Sequence, residues 1–248
     1  MAENMWRQNE GKRNMIYVMS NIHGNQEAFD RILSMIGLTE DDQLFIIGDV
    51  VDRGPRGTEL LRRIRKMPRV TMMLGNHEYM MVNWLRHREN RDYQWLWYRN
   101  GGEITEAQFM ALSPAEREDM LGWLEDLPVQ ITVRAGKKDY LLVHACPVQL
   151  FDELGWRNDD RREFAVWKRI DYDTKLPDGP TVVFGHTPTI QFQTPDPKMR
   201  IWRGENRIGI DCGCAYPEEG GQLASLRLDD LREYYSAAQR EAERDGLQ

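Results

Sequence analysis

Three things are scarce in this 248-residue sequence, and each scarcity excludes something. No apolar run approaches the roughly 20 residues that span a bilayer. The first 14 residues, "MAENMWRQNEGKRN", also lack the continuous apolar segment of a secretory leader, so the chain reads as cytoplasmic, without a membrane partner. Cysteine occurs only as Cys146, Cys212 and Cys214, an odd number without CxxC spacing. That argues against a disulfide framework or a thiolate zinc site and leaves reduced thiols. Basic residues are outnumbered, 33 against 40 acidic, which gives a net charge of -7 and a pI near 5.4. Such a surface is not built mainly for nucleic-acid backbones. The length is enough to bury a full core, and one domain over 1–248 is the default.

What is present is a series of short apolar runs: "MIYVMS", "QLFIIG", "RVTMML", "DYLLVH", "PTVVFG" and "NRIGID". Runs of this length read as buried strands, and helical-looking stretches between them predict an α/β fold of mixed layers. Between the first two runs, "QEAFDRILSMIGL" places Phe29, Ile32, Leu33 and Ile36 on one helical face. "SPAE" at 113–116 combines a Ser cap, a Pro at the first helical position and a Glu three residues after the Ser, predicting a helix to about Leu127. The section 79–127, with Trp84, Trp95, Trp97 and Trp123, reads as a helical insertion whose aromatics are mainly core. The charged segment from Asp229 onward reads as a terminal helical tail.

Chemistry-bearing residues collect where the apolar runs stop. His23, His77, His144 and His186 stand at or just beyond such ends, as do Asp49, Asn76 and Asp211. Loops leaving strand ends gather functional groups along one edge of layered α/β proteins, so these seven are expected to converge. Asn21 and His23, two apart, would point to one side of an extended segment. Asp49 can bridge two cations, and imidazoles mixed with carboxylate and amide oxygens suit manganese, iron or zinc better than magnesium or calcium. His87, in the charged stretch "WLRHREN", reads as a solvated helix residue. No neighbour in sequence would lower the thiol pKa of Cys212 or Cys214, so a thiol nucleophile is not expected.

These residues, in this order and spacing, resemble the phosphoprotein phosphatase family of metallophosphoesterases, whose signatures are DxHG, GDxxDRG and GNHE followed by two separated histidines. Here they read "NIHG", "GDVVDRG", "GNHE", "VHA" and "GHTP", over about Met15 to Pro217. "NGG" at 100–102 and "WLEDLP" at 123–128 look like the bacterial and phage branch. The resemblance implies a β-sandwich flanked by helices with a dinuclear centre of divalent transition metal ions, manganese foremost. Carried over by position, Asn21, His23 and Asp49 would hold one metal, and Asp49, Asn76, His144 and His186 the other. An activated water would attack phosphorus in line, His77 would protonate the leaving alkoxide, and Asp52 would orient His77. Arg53 would clamp the phosphate, with Arg169 of "AVWKRID" as the second arginine and Arg157 as its rival. The implied activity is that of a phosphomonoesterase acting on phosphoserine or phosphothreonine proteins and peptides, with phosphotyrosine open. Hydrolysis of dinucleoside tetraphosphates is the enzymatic alternative. Oligomeric state has no signature here.

One position departs from the pattern. Asn21 stands where the signature has Asp, so it matches the shape of the expected ligand without its charge. The first metal is expected to bind less tightly, which predicts an impaired enzyme. A catalytically silent phosphate-binding protein is the reading from another class.

Overall fold

The computed structural model describes residues 14–176, 178–193 and 197–237. Its ten strands are β1 (Ile16–Met19), β2 (Gln43–Ile46), β3 (Val70–Met72), β4 (Gln130–Ala135), β5 (Lys138–Val143), β6 (Thr181–Phe184), β7 (Trp202–Gly204), β8 (Arg207–Gly209), β9 (Ala224–Arg227) and β10 (Arg232–Tyr235). The six apolar runs supply β1, β2, β3, β5, β6 and β8. Two five-stranded sheets result, ordered β10-β9-β1-β2-β3 and β4-β5-β6-β8-β7. β1, β2 and β3 run parallel, with Ile16 opposite Gln43 and Leu44 opposite Val70, and β5, β6 and β8 run parallel in the other sheet.

The sheets pack face to face. Val18, Phe45, Ile47 and Met73 of the first meet Leu142, Val183 and Ile208 of the second. The alternate residues Tyr17, Met19, Leu44 and Ile46 point to the opposite side, as a two-residue side-chain period requires. There they meet helix α1 (Gln26–Ile36) through Phe29 and Ile32, and α2 (Gly57–Ile64) through Leu60 and Leu61. Each such buried side chain contributes about 1.5–3 kcal/mol.

Four helices lie between β3 and β4: α3 (Asn76–Arg86), α4 (Arg91–Arg99), α5 (Glu103–Met110) and α6 (Pro114–Glu125). α6 starts as its sequence dictates, with the Ser113 hydroxyl accepting the Glu116 N–H at 3.3 Å and the Glu116 carboxylate accepting that of Ser113 at 3.2 Å. α7 (Phe151–Leu154) and α8 (Arg161–Trp167) follow β5, and Phe164 of α8 covers Leu141, Val143, Val182 and Phe184 on the second sheet's outer face. The result is a β-sandwich with helices on both sides, the mixed α/β class expected.

The tail from Asp229 is a correction. Instead of a helix, the segment forms β10, which pairs antiparallel with β9, Glu233 opposite Leu226. Tyr234 and Tyr235 favour a pleated surface, and Asp229 accepts the Ile16 N–H at 2.8 Å, tying the turn to β1. The rest of the expected tail, 238–248, lies outside the described residues, as does the N-terminal stretch 1–13.

Candidate metal centre

Parallel strands finish at one edge of each sheet, and the loops that leave them carry the candidate residues. Asn21 and His23 follow β1, Asp49, Asp52 and Arg53 follow β2, and Asn76 and His77 open α3 after β3. His144 follows β5, His186 follows β6 and Asp211 follows β8. All are buried except Arg53.

The backbone here is bent into unfavourable conformations. Asn21, His23, Asp49, Asp52, Arg53 and His186 have positive φ, and the only other non-glycine residues to do so among those described are Arg69, Asn206 and Leu231. Asn21 (φ 55°) and His23 (φ 49°) therefore do not continue the strand, contrary to the extended geometry expected for them. Left-handed turns cost a non-glycine residue free energy, so the surroundings must impose them. Much of that work is done by Glu78. Its buried carboxylate accepts the backbone N–H groups of Asp49 (2.9 Å), Val50 (2.8 Å), Val51 (3.2 Å) and Gly75 (3.1 Å). The β1 loop is zipped onto the β2 loop by Asn21 N–H to Gly48 (3.1 Å), His23 N–H to Asp49 (3.0 Å) and Gly24 N–H to Val50 (2.7 Å). Gly75 is required because a Cβ there would lie 2.3 Å from Asp49 Oδ1.

Asp49 stands at the middle. One oxygen, Oδ1, accepts the His77 backbone N–H at 3.1 Å and lies 3.4 Å from His144 Nε2. The other, Oδ2, faces His23 Nε2 at 3.7 Å and His77 Nε2 at 4.0 Å. Burial opposes ionisation of Asp49, but the surrounding histidines, His144 foremost, hold its carboxyl below the usual range. Ligand-type atoms thus gather in two groups, His23 with Asp49 and His77, and Asp49 with His144 and His186, each within 4.8 Å.

The second group fits a cation. The His144 Nδ1 lies 2.7 Å from Ile47 O, which can only accept, so Nδ1 carries the proton and Nε2 the lone pair. That lone pair sits 3.0 Å from Asn76 Oδ1, another acceptor, and His186 Nδ1 approaches the same oxygen at 2.9 Å. Burial lowers the pKa of both histidines, His186 especially, because His144 adds to the effect there. Neutral imidazoles converging on an amide oxygen and a carboxylate form a mixed nitrogen and oxygen donor set able to hold a divalent metal ion.

The first group is arranged differently. His23 Nδ1 lies 3.1 Å from Val51 O and donates to it, leaving Nε2 as acceptor. Asn21 does not present its oxygen to this space. Its Oδ1 accepts the Ser20 hydroxyl at 2.6 Å and the His186 backbone N–H at 3.0 Å, and its Nδ2 donates to Asp49 Oδ2 at 2.9 Å. The ligand role expected for Asn21 therefore has the wrong end of the amide facing the site. Gly185 allows this close wall, since a Cβ there would be 2.1 Å from Ser20 Oγ.

The calcineurin-like phosphoesterase family model matches residues 15–212. This chain belongs to that family. The phosphoesterase is 30% identical over 287 residues to the symmetrical bis(5'-nucleosyl)-tetraphosphatase of Nitrosococcus oceani, covering 86% of this chain and 93% of that one. It is 33% identical over 135 residues to the enzyme of the same description from Acidovorax ebreus, over 52% of this chain and only 43% of the relative's length. A Saccharomyces cerevisiae serine/threonine protein phosphatase structure superimposes with a TM-score of 0.59 at 14% identity, covering 94% of this chain and 83% of that one, a likeness of fold alone.

Beside the centre the phosphoesterase has a cavity of about 300 Å³, lined by Arg53, His77, Trp167, Arg169, Asp211 and Tyr216 among others. Arg53 also lines an adjoining cavity of about 630 Å³, and its guanidinium lies 5.4 Å from the Tyr216 ring centroid. Of the two arginines left open, Arg169 is at the cavity, whereas Arg157 is paired with Glu163. Burial, reinforced by the charge of Asp49, pushes the Asp211 carboxyl up to about 6. His87 is solvent-exposed beside Glu89 as expected, but it caps the end of α3 instead of lying within the helix. Cys146, Cys212 and Cys214 are buried free thiols with raised pKa values, the opposite of an activated nucleophile. No helix among the described residues is long and apolar enough to cross a membrane.

Sequence reasoning missed Trp97. Its Nε1 donates to Asp52 Oδ2 at 2.8 Å, and the same oxygen accepts His77 Nδ1–H at 2.7 Å. Thr105 completes the support, its hydroxyl accepting the Asp52 N–H at 2.9 Å. The "NGG" stretch carried a signal for this arrangement, because the Gly101 carbonyl accepts the Arg53 N–H at 3.2 Å and a Cβ at Gly102 would lie 2.4 Å from Trp97 Nε1.

Proposed function

We propose that this chain is a metal-dependent hydrolase of dinucleoside polyphosphates, in preference to the phosphoprotein substrates that the motifs suggest first. The observation that carries this choice is the near full-length similarity to a tetraphosphatase at 30% identity, against protein phosphatases that share the fold or, at 37% identity, only a stretch of 73 residues covering 27% of this chain. Asp49, Asn76, His144 and His186 would hold a divalent ion, which when bound supplies positive charge that eases nucleophilic attack at phosphorus. Arg53 and Arg169 would grip phosphoryl oxygens from the cavity wall, the planar guanidinium matching that geometry.

His77 would give a proton to the departing phosphate or alkoxide through Nε2. Burial alone would lower its pKa, but the charge of Asp49 and the hydrogen bond and charge of Asp52 outweigh that, and the pKa is raised. The imidazolium is thereby kept ready to donate near neutral pH. Asp52 and Trp97 fix its orientation from the side away from the cavity.

A substrate panel with Mn²⁺ tests the reading: diadenosine tetraphosphate, a phosphothreonine peptide and an aryl phosphate, for the wild type and for Asn21→Asp. The dinucleotide is expected to have a kcat/KM about tenfold or more above the peptide in both forms. A faster peptide would move the function to protein phosphatase. Inertness of both forms on all three would leave phosphate binding without hydrolysis.

A further inference from the structure

We infer that Asn21 turns the first side of the centre into a hydrogen-bonded pair instead of a cation site, so that this chain holds a single divalent ion, on Asp49, Asn76, His144 and His186. With the His77 Nε2 proton reserved for the leaving group, the acceptors left to an ion on the first side are His23 Nε2 and Asp49 Oδ2. Both already face donors. Asn21 Nδ2 is 2.9 Å from Asp49 Oδ2 and 3.5 Å from His23 Nε2, and Arg53 Nη1 is 3.3 Å from His23 Nε2. An ion there would have to displace a guanidinium and an amide N–H2, whereas on the other side His144 Nε2 and Asn76 Oδ1 confront each other as acceptors at 3.0 Å.

The amide is not free to turn its oxygen inward. A half-turn would set N–H2 against the fixed backbone N–H of His186, 3.0 Å from the present Oδ1. It would also set Oδ1 against the Asp49 carboxylate. Both contacts are buried, where like-paired polar groups are costly. A carboxylate at position 21 has neither problem: one oxygen would accept from Ser20 and His186 while the other faced the site, adding a negative charge. The pocket around position 21 thus suits two oxygens, and the amide fills one of those places with a donor. This inference concerns metal stoichiometry and does not depend on which phosphate ester or anhydride is cleaved.

The test is metal content and electron paramagnetic resonance of metal-stripped protein re-equilibrated with Mn²⁺ and desalted. Wild type is expected to retain one Mn²⁺ per chain with the spectrum of an isolated ion. Asn21→Asp is expected to retain two, with a spin-coupled spectrum. His23→Asn should leave the wild-type ion in place, and His186→Asn should release it. Two ions with a coupled spectrum in the wild type would overturn the inference whether or not any variant folds, and so would loss of the single ion from His23→Asn.

Discussion

The two sheets supply their halves of the centre by different means. The first sheet delivers Asn21, His23, Asp49, Asp52 and Arg53 on loops in left-handed conformations, held by the shared carboxylate of Glu78 and by backbone bonds between the loops. The second delivers His144 one residue and His186 two residues beyond strand ends, His144 anchored to Ile47 O across the sandwich and His186, itself left-handed at φ 61°, by its N–H to Asn21. Five left-handed residues need a polar network to stay in place, whereas the second sheet has one, His186, and positions His144 from the strand itself. The first half, which also supplies Asp49 and Asn76 to the ion, should therefore be coupled to both stability and metal binding, and the second to metal binding alone.

Removing the shared carboxylate breaks that contrast most directly. Glu78→Ala leaves four buried backbone N–H groups without their acceptor and opens a space beneath Asp49. At about 1–3 kcal/mol for each unsatisfied group, less what water entering the space restores, the expected loss is about 3–5 kcal/mol. For a chain of this size that is a fall in Tm on the order of 10 °C, readable by thermal unfolding in chelator. A shift of a degree or two would mean that the loops hold their shape without Glu78.

The same contrast explains what was legible in the sequence. All six apolar runs became strands, and the residues at their ends converged because parallel strands share an edge. Apolar continuity does not mark β4, β7, β9 or β10: β4, β7 and β10 are partly exposed, and β9 reads ASLR, with a serine and an arginine among its four residues. The alternating charges of the tail suggest a helix locally, but β10 is set by the β9 strand it pairs with, and β9 is itself placed by the distant β1, Val18 opposite Leu226. Trp97 was counted as core, and it is fully buried. Only the tertiary structure brings its N–H to Asp52. The Asn21 position was legible as a departure, but its amide orientation depends on Ser20 and on the His186 N–H, 165 residues away.

A smaller effect separates chemistry from architecture within the first half. His77→Asn keeps the start of α3 but removes the ring that Asp52 and Trp97 orient. General acid catalysis is worth about 10²–10⁴, so hydrolysis of an alkyl phosphate should fall by that order. An aryl phosphate, whose leaving group needs little protonation, should lose only about tenfold, with metal content unchanged. Equal losses on both substrates would assign His77 to the metal instead of to the proton.

The smallest effect is expected from the second half. His186 donates its backbone N–H to Asn21, and that bond survives any change of side chain. Its ring meets Asn76 Oδ1 and packs edge-on to His144, with centroids 5.2 Å apart, contacts that an asparagine partly replaces. In chelator, His186→Asn should therefore shift Tm by no more than about 2–4 °C, the equivalent of roughly 1 kcal/mol in a chain of this length. With Mn²⁺ present, the stabilisation that a bound ion gives the wild type by mass action should be absent from the variant, so the two melting curves should separate as metal is added. If they instead differed by as much without metal as with it, the second sheet's histidines would be holding the fold together, and the division of labour between the sheets would fail.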